Sequence, residues 1–69
     1  MAAALSNEGF TSFATTYATF ATARSVDPVR VNMGYMRLGV KLVGMGAGFS
    51  VGLLGPTHIS LEDIACMRA

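Results

Sequence analysis

Asp27-Pro28-Val29-Arg30-Val31-Asn32-Met33-Gly34-Tyr35-Met36-Arg37-Leu38-Gly39-Val40-Lys41-Leu42-Val43 reads as one helix handed directly to one strand. Asp27 is a side chain suited to an N-cap, and Pro28 sits at the first helical position, where its missing N–H costs nothing. Val29, Met33 and Met36 then fall on one face, with Val31, Tyr35 and Leu38 on the neighbouring one. That is a broad apolar stripe at helical period. Gly39 is expected to close the helix. Val40 to Val43 follows as a short apolar strand with Lys41 at its entry.

The flanks repeat the alternation. Upstream, Thr11 to Tyr17 is rich in threonine and aromatics, with Phe13 central, and reads as a strand. Ala18 to Arg24 forms a short helical turn by its alanine content. Met1 to Asn7 is helical because Ala2, Ala3, Ala4 and Leu5 are strong helix formers, and Gly9 is the expected stop. Downstream, Gly44 to Pro56 is a glycine-rich loop. Ser60 and Asp63 have the spacing of a capping box, which opens a helix through Leu61, Ile64, Ala65 and Arg68. Strands alternating with helical segments predict an α/β fold: a partial parallel sheet with crossover helices. A two-stranded parallel sheet cannot bury both faces alone. Residues 1–69 are therefore expected to be a single partial domain, cut within its first and last helices.

Composition narrows the function. A chain of 69 residues carries one core at most, worth about 3–5 kcal/mol. The single cysteine, Cys66, allows no internal disulfide, and one cysteine with one histidine cannot close a four-ligand structural zinc site. The lone thiol fits a reducing compartment, so a cytoplasmic protein is expected. Net charge is +1 with scattered basic residues, which excludes the basic stripe of a nucleic-acid binder. Apolar residues make up 52% and charged residues 13%, an excess that calls for surface covered by something else. Met1 to Gly9 has neither the basic region nor the apolar run of a secretory signal. Leu42 to Leu61 carries no formal charge, and Gly44, Gly48 and Gly52 fall at the four-residue spacing of a membrane dimerisation face. Seven glycine, proline and histidine positions interrupt that run, so a spanning helix is the lesser alternative.

Candidate functional residues are few. Tyr17 and Phe20 lie three apart, a spacing that serves core packing as well as a binding wall. His58 follows Pro56-Thr57 and reads as a loop or cap residue as readily as a reactive one. The Gly44, Gly46, Gly48 cluster fits neither the dinucleotide fingerprint nor the phosphate-binding loop. Cys66, Met33 and Met36 read as apolar filler, Glu62 and Asp63 as complements to a helix dipole. Arg24, Arg30, Arg37 and Arg68 read as solvated or partner-facing.

Three stretches together resemble the transketolase family. Thr16-Tyr17-Ala18-Thr19-Phe20-Ala21-Thr22 is similar to its Thr-Phe-Ala-Thr-Phe-Ala-Thr segment. Arg30-Val31-Asn32-Met33-Gly34-Tyr35-Met36 with Val40-Lys41-Leu42-Val43-Gly44 forms the second. Gly55-Pro56-Thr57-His58 with Leu61-Glu62-Asp63-Ile64-Ala65-Cys66-Met67-Arg68-Ala69 is the third and most specific. The likeness covers the whole chain and maps it to the middle of the pyrimidine-binding domain, as found in the C-terminal chain of two-chain bacterial transketolases. It implies two-carbon ketol transfer between sugars using thiamine diphosphate. Tyr17 and Phe20 match two aromatic positions lining the pocket for the cofactor's aminopyrimidine ring. His58 matches the histidine that faces the substrate. An imidazole there can hydrogen-bond a hydroxyl or shuttle a proton.

The resemblance also implies what this chain does not supply. The diphosphate and its magnesium would be held by the other domain, so no metal ligand is expected here. A diphosphate-binding transketolase chain, or further copies of this chain, would be the partner, and catalysis would await that partner or missing flanks. The family's pyrimidine-activating glutamate lies upstream of the stretch matching Met1, and Glu8 lies too late to replace it. Leu53-Leu54 stands where the family usually has Glu-Asp, and Gly46 matches a loop histidine. Those losses of polar contact count against ordinary sugar-phosphate specificity. They leave open a non-catalytic chain that docks on a related enzyme.

Overall fold

Every residue from 1 to 69 is described in the computed structural model. Helix α1 covers Ala2–Asn7, strand β1 Phe13–Tyr17 and helix α2 Ala18–Ala21. Helix α3 opens at Val26–Pro28 and continues as a π-helical segment, Val29–Tyr35; strand β2 is Lys41–Met45 and helix α4 Asp63–Arg68. Single 3-10 turns occupy Ala23–Ser25 and Gly52–Leu54. The two strands pair in parallel, Phe13 opposite Lys41 and Tyr17 opposite Met45, which gives the expected α/β arrangement with helical segments crossing between the strands.

Helix α1 ends as its sequence dictates. Gly9 takes φ +92, the Gly9 N–H donates to the Ser6 carbonyl and the Phe10 N–H to the Leu5 carbonyl, both at 3.1 Å. That pair of bonds is a Schellman stop, which needs a left-handed residue just past the helix.

The sheet is covered on one face. Residues alternate across a strand, so Ala14 and Thr16 share a face with Leu42 and Gly44, and α2 lies on that face. A Cβ built on Gly44 would stand 3.1 Å from the Ala18 Cα, so the two backbones meet at a distance that crowds any larger residue. Ala18 (3% exposed) and Ala21 (2%) are the buried apolar residues, and both belong to α2. Phe13, Val43 and Met45, on the other face, are exposed. Buried residues number 5 of 69, a core too small to account for a domain by itself.

Several local expectations are corrected. Helix α3 begins at Val26 with Ser25 at the cap position, so Asp27 lies within the first turn and makes no side-chain cap. It ends at Tyr35, because Arg37 adopts φ +55 two residues before Gly39. The Met36 N–H donates to the Val31 carbonyl at 2.9 Å, five residues back. This wider turn keeps Val29 and Met33 half-buried on one side and leaves Val31, Tyr35 and Met36 exposed. Strand β2 extends through Gly44 and Met45, assigned above to the loop, because Thr16 and Tyr17 supply partners there. The Ser60–Asp63 capping box does not form. Helix α4 starts at Asp63, and Ser60 (1% exposed) instead joins an antiparallel bridge, its carbonyl accepting from the Gly48 N–H at 2.8 Å. Its hydroxyl has no partner. No helix is long and apolar enough to cross a membrane, which overturns a spanning helix over Leu42 to Leu61.

Candidate functional site at the carboxyl end of the sheet

Tyr17 is both the last residue of β1 and the residue preceding α2, with φ −62 and ψ 145. The chain leaves the strand extended and winds at once into a helical turn. Phe20 therefore stands one turn beyond Tyr17, the spacing at which helical side chains meet. Their rings pack edge to face, 6.1 Å between centroids at 84°.

His58 arrives from the far side of the loop that follows β2. Gly46 turns the chain beside Tyr17 with φ +63; a Cβ there would touch Tyr17 and Val51, each at 3.4 Å. The loop runs out through the Gly52–Leu54 turn and is tied at its base by the Gly48–Ser60 bridge. Gly55 then takes φ 73 and ψ −166, a region essentially reserved for glycine. Pro56 follows in a tight turn, closed by the His58 N–H donating to the Gly55 carbonyl at 3.1 Å. Gly-Pro-Thr-His is thus a conformational unit: glycine for the strained entry, proline for the turn, and histidine at its exit.

That turn sets the His58 ring among the aromatics. Its centroid lies 5.2 Å from Tyr17 at 83° and 4.9 Å from Phe20 at 70°. All three residues singled out in the sequence come together, and all three are half-buried. Edge-to-face pairs contribute about 0.5–1.5 kcal/mol each beyond area burial. Sequence reasoning missed two neighbours. The Arg24 guanidinium stands over the Phe20 ring at 4.9 Å, a cation–π contact whose signal was the four-residue spacing from Phe20. The Thr57 hydroxyl lies 2.8 Å from His58 Nδ1, which adjacency alone does not announce.

The larger hollows lie elsewhere. Grooves of about 420 Å³ between α3 and the end of α4, about 330 Å³ between α2 and α4, and about 550 Å³ along α1 and β1 include none of Tyr17, Phe20 and His58. They are apolar gaps between thinly covered elements. The aromatic cluster holds the chain's only imidazole and sits at the carboxyl end of the strands, where parallel sheets place their ligands. Chemistry, rather than hollow size, therefore picks out the cluster. Leu53 (104% exposed) and Leu54 are open to solvent on the loop. No three histidine, cysteine or acidic side chains gather into a metal-binding group.

The family model for the transketolase pyrimidine-binding domain matches residues 1–69. One subunit of the apulose-4-phosphate transketolase of Phocaeicola vulgatus is 40% identical over 68 residues, 99% of this chain and 22% of that protein. A protein of Methanocaldococcus jannaschii named as a putative transketolase C-terminal section is 42% identical over 69 residues, 100% of this chain and 22% of its own length. The 6-deoxy-6-sulfo-D-fructose transketolase subunit SqwH of a Clostridium species is 38% identical over 68 residues, 99% and 21% respectively. The chain thus spans about a fifth of the length of these curated relatives. No solved structure matches it. An α/β sequence with a parallel strand pair, matched end to end by that family model, belongs to the transketolase family, as part of its pyrimidine-binding domain.

Proposed function

We propose that this chain forms one wall of the cofactor site in a thiamine-diphosphate-dependent transketolase of the two-chain kind, acting in the cytoplasm on a ketose and an aldose. The observation that carries the reading is the convergence of Tyr17, Phe20 and His58 within 4.9–6.1 Å at the carboxyl end of β1. A cluster of edge-to-face rings suits a flat heteroaromatic group, and an aminopyrimidine is one. Tyr17 and Phe20 hold and orient that ring. Both rings are half-buried and would cover part of it. His58 accepts or returns a proton at a sugar hydroxyl. The diphosphate and its magnesium are assigned to the partner chain. When bound, the cofactor supplies the electron sink for moving a two-carbon ketol unit.

The test pairs this chain with the diphosphate-binding chain of a two-chain transketolase and measures cofactor retention and ketol transfer separately. Tyr17→Leu and Phe20→Leu keep apolar bulk and remove the ring, so cofactor affinity falls about 2- to 12-fold, the equivalent of about 0.5–1.5 kcal/mol. His58→Ala leaves cofactor affinity intact and lowers transfer about 10²- to 10⁴-fold. Unchanged affinity in both ring variants would sink the pocket assignment. A second reading, a non-catalytic chain docked on a related enzyme, draws on exposed Leu53 and Leu54 in place of family carboxylates. It predicts a stable complex with no transfer in any pairing.

A further inference from the structure

We propose that Thr57 is a positioning residue that fixes the tautomer of His58, holding the neutral imidazole protonated on Nδ1 and leaving Nε2 as the acceptor; this rests on the substrate-facing reading of His58 given above. The Thr57 hydroxyl oxygen has two neighbours: His58 Nδ1 at 2.8 Å and the Leu54 carbonyl oxygen at 3.4 Å. A hydroxyl has one hydrogen to give and lone pairs to receive with, whereas a carbonyl can only accept. If the hydrogen goes to Nδ1, the contact to Leu54 becomes oxygen against oxygen with nothing between. If it goes to Leu54, the same oxygen accepts from Nδ1–H, and both contacts are hydrogen bonds. The second arrangement satisfies both neighbours from within the chain, with the exposed 3.4 Å contact to Leu54 the weaker of the two, and it places the imidazole proton on Nδ1.

The position of the ring is held by its neighbours. Tyr17 and Phe20 flank it edge to face, and the backbone beneath is locked by the Gly55–His58 turn. Nε2 takes no hydrogen bond from any group of the chain and is the nitrogen left for a ligand. A lone pair at Nε2 makes His58 a proton acceptor toward a hydroxyl in its resting state. It becomes a donor only after that transfer. The direction of proton movement is thus set by a threonine that touches no ligand itself.

His58 is the only histidine, so its ring nitrogens can be observed without ambiguity in the uniformly 15N-labelled full chain. Long-range 1H–15N correlation at about pH 8, where an imidazole is ordinarily neutral, reports which nitrogen carries the proton. The expected result is a protonated Nδ1 and an unprotonated Nε2. Thr57→Val lowers the Nδ1–H to Nε2–H ratio about fivefold, the equivalent of one ordinary hydrogen bond. Thr57→Ser restores it, which a merely structural role for the methyl group would not do. A wild-type spectrum with Nε2 protonated, or ring shifts identical to those of the urea-unfolded chain, overturns the proposal. So does a folded Thr57→Val chain with an unchanged spectrum; if far-UV circular dichroism shows that variant unfolded, wild type and Thr57→Ser decide. Neither cofactor nor substrate is present in the measurement. Failed ketol transfer with the tautomer intact therefore counts against the function alone.

Discussion

Substituting Gly44 by alanine tests whether the α2–β2 contact holds the site together. The new Cβ would stand 3.1 Å from the Ala18 Cα and 3.3 Å from its Cβ, against the 3.4 Å at which ordinary contact begins. The nearer atom is backbone, so no side-chain rotation relieves the clash and α2 must move off the sheet. Overpacking of this kind costs about 1–3 kcal/mol. Loss of glycine's freedom in the unfolded chain offsets about 0.4–1 kcal/mol of that. The net expectation is a loss of about 1–2 kcal/mol, a large part of the stability available at this size. With a urea slope near 1 kcal/mol/M, the midpoint falls by about 1–2 M. Gly34→Ala is the control. Nothing lies within 4 Å of a Cβ there, the backbone is helical, and alanine should raise the midpoint by about 0.5–1 M. Urea unfolding followed by far-UV circular dichroism reads both. Ala18→Gly added to Gly44→Ala removes the 3.3 Å contact and keeps the 3.1 Å one, so rescue is at best partial. A Gly44→Ala midpoint at or above wild type, or full rescue by Ala18→Gly, would refute the backbone-contact reasoning.

Gly55→Ala must place a Cβ at φ 73 and ψ −166, and is expected to cost about 1–3 kcal/mol and to broaden the His58 ring signals in a proton spectrum. Ser60→Ala removes a buried hydroxyl that has no partner, so urea unfolding should show unchanged or higher stability; a loss above about 1 kcal/mol would mean the hydroxyl is bonded after all. Arg24→Ala releases the guanidinium from the exposed side of Phe20 and should cost about 0.5–1 kcal/mol, with Arg24→Lys intermediate, read from the same curves.

The sequence showed the order of elements better than their ends. Glycine at position 9 stopped α1 because a Schellman turn is a local event, decided within six residues. Gly39 did not stop α3, since Arg37 took the left-handed conformation first. The Ser60–Asp63 spacing met every local requirement of a capping box. A strand-like bridge to Gly48 nonetheless removed Ser60 from the helix, a contact across a loop that no local pattern encodes. Gly44 likewise belonged to a strand because Thr16 lay opposite it. The candidate site divides along the same line. Tyr17 and Phe20 are joined by helical spacing and could be read from periodicity. His58 joins them only through the turn at Gly55 and the bridge at Ser60, and only the family resemblance linked it to them in advance.

This division places the fold's small core directly beneath the site. Ala18 and Ala21, the buried apolar residues, lie in the same helical turn as Phe20 and next to Tyr17. The Gly44 contact that seats Ala18 is one register step from the Tyr17–Met45 pair. Loosening α2 therefore moves an aromatic of the candidate pocket and removes packing together, so stability and ligand affinity should fall in step across variants here. The opposite sheet face carries Phe13, Val43 and Met45 exposed, although parallel sheets are ordinarily covered on both sides. Covering that face would stabilise the strands without touching α2. Tyr17 shares that face with Met45, its register partner, so a partner docked there would raise stability and meet the Tyr17 ring as well, whereas one that moved Phe20 would have to act through α2.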